Sequence, residues 1–234
     1  MVLFLKLKLL YLVKHNTSQR VMSDQTSVHP KLTQVIRKHK QTLRYKKPIL
    51  TETTQVLEAV ECIICARAQP LIIDNGCGTG ESAISLAEKF TDNTIIGIDK
   101  SSHRLNKAKK HSALPDNLIF VRANLVEFWL FAHERKWEIK KQYLLYPNPW
   151  PKQDQLMRRW HAHPIMPLLV SLSGCLELRT NWKTYALEFA HAAEYFLEIK
   201  VKVQNWQPIK PLSLFEKKYL LSGHDLYKVE LIRT

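Results

Sequence analysis

The run Ile73-Asp74-Asn75-Gly76-Cys77-Gly78-Thr79-Gly80 holds three of the six glycines in a chain of 234 residues. Apolar residues precede it, so Leu71–Asp74 is expected as a short buried strand, and residues 80–90 as a helix opening at Gly80. Glycine turns the backbone tightly and lets a ligand lie against bare main chain. The first N–H groups of the following helix are free to receive a carboxylate or phosphate. A dinucleotide fingerprint needs its third glycine where Glu81 stands, and here that glycine comes one place early. A nicotinamide cofactor is therefore disfavoured.

Outward from this turn the pattern alternates. Strands are expected at Thr94–Asp99, Leu118–Arg122, Gln142–Tyr146 and Cys175–Thr180, and at about 199–205 and 225–232. Helices fall at 101–112, 125–135 and 182–198, and at 153–172 with a break at Pro164. Strand–helix alternation at this spacing means an α/β fold, a mostly parallel seven-stranded sheet with helices on both faces. Before it, a helix from Thr51 to about Ala68 carries Val56, Leu57, Val60, Ile63 and Ile64 as one apolar stripe. Residues 1–50 are expected as an extension and basic arm, partly helical around 31–40, and residues 51–234 as the folded domain. In sheets of this kind ligands bind beyond the carboxyl ends of the strands, near the switch point.

Composition narrows the class. Apolar residues make up 45% and charged residues 24%, which excludes a mostly disordered chain or a collagen. Lys and Arg number 35 against 21 Asp and Glu, a net charge of +14. The cations cluster at Arg37–Lys47, Lys107–Lys110 and Lys152–Arg159, which favours a polyanionic partner such as RNA. Four cysteines, with Cys62 and Cys65 in C-x-x-C on a helix and no second pair at zinc spacing, are expected as buried reduced thiols of a cytoplasmic protein that holds no metal. No apolar run is long enough to cross a membrane. Residues 1–13 are apolar but interrupted by Lys6 and Lys8, and Met22 opens a polar start, so residues 1–21 are expected to be disordered or an upstream over-translation. His15, His29 and His39 are expected in solvent.

The ends of the other strands carry polar groups. Asp99 closes the second strand, where an acid can accept hydrogen bonds from both ribose hydroxyls. Asn124 follows the third, where an amide can read an adenine edge. Asp74 either caps the next helix or faces a cofactor's amino-acid end, and the second is favoured beside these two. Asp-x-Gly-x-Gly-x-Gly with these strand ends resembles the S-adenosylmethionine-dependent methyltransferases, which implies a Rossmann-like class I fold.

The fourth strand runs into Tyr146-Pro147-Asn148-Pro149-Trp150-Pro151-Lys152. Three prolines in five residues stiffen this loop. Trp150 is placed either to stack on a base, worth about 1–3 kcal/mol, or to pack. Arg158, Arg159, His161 and His163 follow as a basic stretch suited to phosphate. This loop, with R-R-W-H-A-H-P after it, E-L-R-T-N-W in the next strand, K-K-P-I at Lys46–Ile49 and S-L-F-E at Ser213–Glu216, resembles the bacterial tRNA (guanine-N7)-methyltransferases over residues 26–232. The resemblance implies methyl transfer from S-adenosylmethionine to N7 of guanine 46 in the tRNA variable loop. It implies cofactor contacts at Asp74, Gly76, Gly78, Gly80, Asp99, Asn124 and Asn148. It implies substrate contacts at Lys152, Arg158, Arg159, Asn181 and Ser213, Leu214, Phe215 and Glu216.

The chain departs from that family where Asn124, Asn148 and Asn181 stand in place of Asp. An amide is no general base, yet guanine N7 carries a lone pair and no proton, so none is needed. Asn148 is the candidate catalytic residue, accepting from guanine N1–H or N2–H, and Glu216 is expected to supply the missing charge beside the base. Two alternatives stand beside this reading: a related methyltransferase with another nucleobase target, and a relative that binds RNA with weak or no catalysis. Oligomeric state is open between monomer and homodimer.

Overall fold

The computed structural model describes residues 18–41, 45–111 and 113–233. The strands are β1 (Leu71–Asn75), β2 (Thr94–Asp99), β3 (Leu118–Arg122), β4 (Ile139–Leu145), β5 (Ser173–Thr180), β6 (Val203–Asn205) and β7 (Tyr227–Ile232). They form one sheet in the order β3-β2-β1-β4-β5-β7-β6. The first five are parallel, and β7 runs antiparallel to both β5 and β6. Strand order reverses between β1 and β4, so the turns after these two strands flank the switch point. Every residue of β1 and β2 is buried, as expected of central parallel strands covered on both faces.

Alternation along β1 sorts the core. Leu71 and Ile73 face one side with Ile96, Ile98 and Val121. The helices α1 (Leu32–Gln41), α2 (Thr51–Arg67), α5 (Leu125–Glu134), α6 (Met166–Ser171) and α7 (Lys183–Leu197) cover that side. Ile72, Ile95 and Tyr143 face the other, where Leu86 and Ala87 of α3 (Glu81–Lys89) pack. Leu105 of α4 (Ser102–Ala108) packs beside them with Cys77 and Ala83. Further along this second face the strands carry charges instead. Lys141 Nζ bridges Glu177 (2.8 Å) and Glu230 (3.0 Å), and Arg179 pairs with Glu177 and Glu216. The indole of Trp206 lies 4.5 Å from the Arg179 guanidinium carbon, so the segment before α8 (Leu214–Leu221) covers this part through charge and stacking.

Several expectations change here. The helix α8 was not expected at all. Residues 153–163 form two 3-10 turns, Gln153–Arg158 and Trp160–Ala162, and only α6 is α-helical. On α2 only Leu57 and Val60 are buried, while Val56 and Ile63 are 42% and 40% exposed. Cys62 and Cys65 are exposed thiols rather than buried ones, because they lie on the outer side of that helix. His29 is buried, not solvated, and His39 bonds the Ala162 carbonyl. His15, Arg44 and residues 1–17 lie outside the described residues. Residues 18–21 are docked: Ser18 N donates to Ser222 Oγ at 2.8 Å, and Val21 packs on the core. Leu32 and Ile36 of α1 are wholly buried in the same core, so the expected arm is part of the domain's packing. Among the described residues no helix is long and apolar enough to cross a membrane.

Candidate active site

A cavity of about 700 Å³ opens at the switch point. Its inner wall is the turn after β1. Gly76, Gly78 and Gly80 have φ of +81°, +58° and +92°, all in the left-handed region. A Cβ at Gly76 or Gly78 would meet nothing within 4 Å, so the main chain there lies open to the cavity. Gly80 differs: its Cβ would lie 2.7 Å from both Ala108 Cβ and Phe120 Cζ, so it locks α3 against α4 and β3. Asp99 closes the next strand with Oδ2 accepting from Gly78 N (3.1 Å) and Oδ1 from Ser101 N (2.8 Å). Arg104, half-exposed on α4, lies 3.0 Å from Asp99 Oδ1. Asn124 caps α5, its Oδ1 accepting from Val126 N at 2.9 Å, and it lines the cavity.

Asp74 stands one layer behind. It is buried and accepts a hydrogen bond from Ser82 Oγ at 2.5 Å, and it is Ser82 that lines the cavity. Burial pushes the Asp74 carboxyl up, against the Ser82 hydrogen bond and with repulsion from Asp99, to about 7. Asn75 was overlooked in the sequence. Its Oδ1 accepts from Trp129 Nε1 (2.8 Å) and its Nδ2 donates to the Tyr143 carbonyl (3.0 Å), tying β1 to β4 and to α5.

The outer wall is the loop after β4. Tyr146 and Trp150 both take positive φ, +49° and +48°, and bracket Pro147-Asn148-Pro149. Asn148 is exposed on the cavity wall. The Arg158 guanidinium lies 4.8 Å from the Trp150 ring centroid, so one face of the indole is already stacked. The third side is α8, with Ser213, Leu214, Phe215, Lys218 and Tyr219 on the cavity. Ser213 caps α8 by accepting from Glu216 N at 3.2 Å. Phe215 stacks on Tyr219 at 6.1 Å, and Tyr219 on His224 at 5.2 Å. Tyr219 and Arg104 also line the cavity and carried no motif, while Tyr146 and Trp160 line it and stood inside quoted motifs without being singled out. The one usable signal was the S-x-x-E of Ser213 and Glu216, which is also a helix-start pattern.

Two expected substrate contacts point elsewhere. Glu216 is fully buried, and its oxygens accept from Tyr146 Oη (2.8 Å), Trp206 Nε1 (3.0 Å), Leu212 N (2.7 Å) and Arg179 Nη1 (3.0 Å). Its charge is neutralised by Arg179 and its lone pairs are filled, so it fastens α8 to the β4 loop instead of facing a base. Burial and the adjoining Glu216 carboxylate push the Tyr146 hydroxyl up, so it stays protonated and donating. Arg159 is likewise fully buried, 2.6 Å from Glu188, and has no surface to offer a phosphate. His161 shares that carboxylate at 2.8 Å and is not at the surface either. Burial lowers the His161 imidazole, so it is neutral, donates through Nε2 and leaves buried Nδ1 without a partner. Lys152 is exposed beside the loop, and Asn181 bonds His224 at 3.1 Å; neither lines the cavity.

With this geometry in place, the sequence matches, over residues 68–229, the family model described as "Putative methyltransferase". The chain belongs to this methyltransferase family. A tRNA (guanine-N(7)-)-methyltransferase of Nitrosomonas europaea is 28% identical over 205 residues, covering 82% of this methyltransferase and 86% of the relative. Among solved structures, the 16S rRNA methyltransferase KamB superposes with a TM-score of 0.55 at 14% identity, covering 76% of this chain and 94% of that one. An antibiotic-related methyltransferase superposes with a TM-score of 0.52 at 20% identity, covering 80% and 97%. These two likenesses concern the fold, and confirm the Rossmann-like class I architecture expected from the glycine turn.

Proposed function

We propose that the protein transfers a methyl group from S-adenosylmethionine to N7 of a guanine in tRNA, at position 46 of the variable loop. The observation that carries the reading is one cavity with two unlike walls. A glycine turn with Asp99 and Asn124 faces a Pro-Asn-Pro-Trp loop and the aromatic side of α8. The glycine turn, left bare at Gly76 and Gly78, fits a cofactor lying against main chain. Residues 76–79 and Ser82 would hold its amino-acid end, Asp99 its ribose and Asn124 its adenine, while Gly80 keeps the turn closed on α4 and β3. S-Adenosylmethionine supplies an electrophilic methyl group on a sulfonium.

The chain's own residues then have a narrow task. Guanine N7 needs no deprotonation, so no general base is required. The amide oxygen of Asn148 accepts from guanine N1–H or N2–H and turns N7 toward the cofactor side. Glu216 brings no free charge to the base, since Arg179 neutralises it, and Glu81, on the glycine-turn side of the cavity, accepts from Thr79 Oγ1 at 2.7 Å. Orientation by a stiff loop is therefore the main source of rate. Lys152, Arg158 and Lys218 give the rim positive charge for the RNA backbone.

Incubating the protein with methyl-labelled S-adenosylmethionine and unmodified tRNA, then digesting to nucleosides, tests the proposal. Label in 7-methylguanosine supports it. Label in another nucleoside moves the target, and no label with cofactor bound leaves an RNA-binding role.

A further inference from the structure

The loop from Pro147 to Pro151 has lost three of its N–H donors to proline, so it must be braced through its carbonyls. Three consecutive carbonyls are held from beneath. Arg159 Nε donates to the Trp150 oxygen at 3.1 Å and Arg159 Nη2 to the Lys152 oxygen at 3.1 Å. Between them, Ser23 Oγ donates to the Pro151 oxygen at 2.6 Å. Arg159 is itself fixed. Its Nη1 donates to Glu188 Oε2 (2.6 Å) and to Gln25 Oε1 (3.0 Å), and its guanidinium carbon lies 4.9 Å from the Trp182 ring centroid. Glu188 Oε1 is bound in turn by Gln25 Nε2 (2.6 Å) and His29 N (2.9 Å). Ser23, Gln25 and His29 all belong to the N-terminal segment, more than a hundred residues before the loop they brace.

A buried ion pair of this kind is poor evidence of a stabilising role, because desolvation offsets most of the attraction. What it does supply is direction. A planar guanidinium fork spans two carbonyls and a carboxylate at once, which an ammonium cannot do. It also holds the carbonyl of Trp150, whose left-handed φ persists only where the surroundings enforce it.

We propose that Arg159 is a positioning residue for methyl transfer, and that residues 23–29 are part of the same device, holding carbonyls 150–152 so that Asn148 and Trp150 meet the base correctly. This rests on the reading of that loop as the guanine-facing wall.

The test measures kcat, tRNA affinity, cofactor affinity and melting temperature for the full chain and for Arg159→Lys. Arg159 touches neither the cavity nor the surface, so both affinities should hold while kcat falls by about ten- to a hundredfold, well below the melting temperature. A folded Arg159→Lys with unchanged kcat overturns the proposal. So does a loss confined to melting temperature, which marks a purely structural residue. If that variant does not fold, Ser23→Ala decides. It removes one hydroxyl from a partly exposed site, and should lower kcat without moving either affinity. An unchanged kcat there overturns the proposal. If the unaltered protein makes no 7-methylguanosine, the underlying reading fails first and the proposal fails with it.

Discussion

At the scale of single residues, the site is unusual in what it lacks. Asn148 stands where a carboxylate was the family expectation, and Glu216, the acid expected to replace its charge, is spent on Arg179 and Tyr146. If orientation dominates, Asn148→Asp should change single-turnover kcat by no more than about tenfold, against the hundred- to thousandfold commanded by one preorganised group elsewhere. Asp74 offers a second check. Its folded pKa of about 7 lies above the ordinary carboxylate value, so its contribution to stability is complete at low pH and is lost as pH rises through 7. Asp74→Asn should therefore match the unaltered chain at pH 4 and exceed its stability at pH 9 by roughly 2–4 kcal/mol, read from denaturant unfolding at both pH values. Of the acids expected at the site, Asp99 lines the cavity, whereas Asp74 and Glu216 do not. Asp74 and Glu216 occupy motif positions, yet each is turned to a protein partner, and only the fold shows the partner.

Elements were more legible than contacts. Thr94–Asp99 and Leu118–Arg122 were placed to the residue, since β-branched apolar runs bounded by polar turns have few alternatives. The 153–163 stretch was not, because its polar pattern looks like a solvated helix while Arg159 and His161 in fact point inward to Glu188. The helix α8 was hidden because its apolar residues Leu214, Phe215 and Leu221 are exposed, so no core stripe announces it. The glycine turn allows a contrast between two substitutions. Gly80→Ala forces contacts of 2.7 Å on α4 and β3 as well as a strained φ, and should cost about 2–4 kcal/mol in unfolding free energy. Gly76→Ala meets no protein atom, so it should cost only about 1–2 kcal/mol while weakening cofactor binding in titration calorimetry.

For the molecule as a whole, a +14 chain with an open, cation-rimmed cavity is built to hold a polyanion. Binding of tRNA should weaken with salt, log affinity falling by about 0.7 per unit of log salt for each phosphate held. Lys152→Ala, an exposed change, should reduce that slope by about one contact in filter binding across a salt series. The architecture, the glycine turn and the polyanionic partner class were all legible in the sequence. The joining of the N-terminal segment to the loop after β4 was not, since it depends on packing across the chain. The central claim is methylation at guanine N7, and that product labilises its own ring to borohydride reduction and aniline scission. Unmodified tRNA treated first with the protein and S-adenosylmethionine, then with these reagents, should break at one guanine in the variable loop. Methyl incorporation with no scission would contradict the claim.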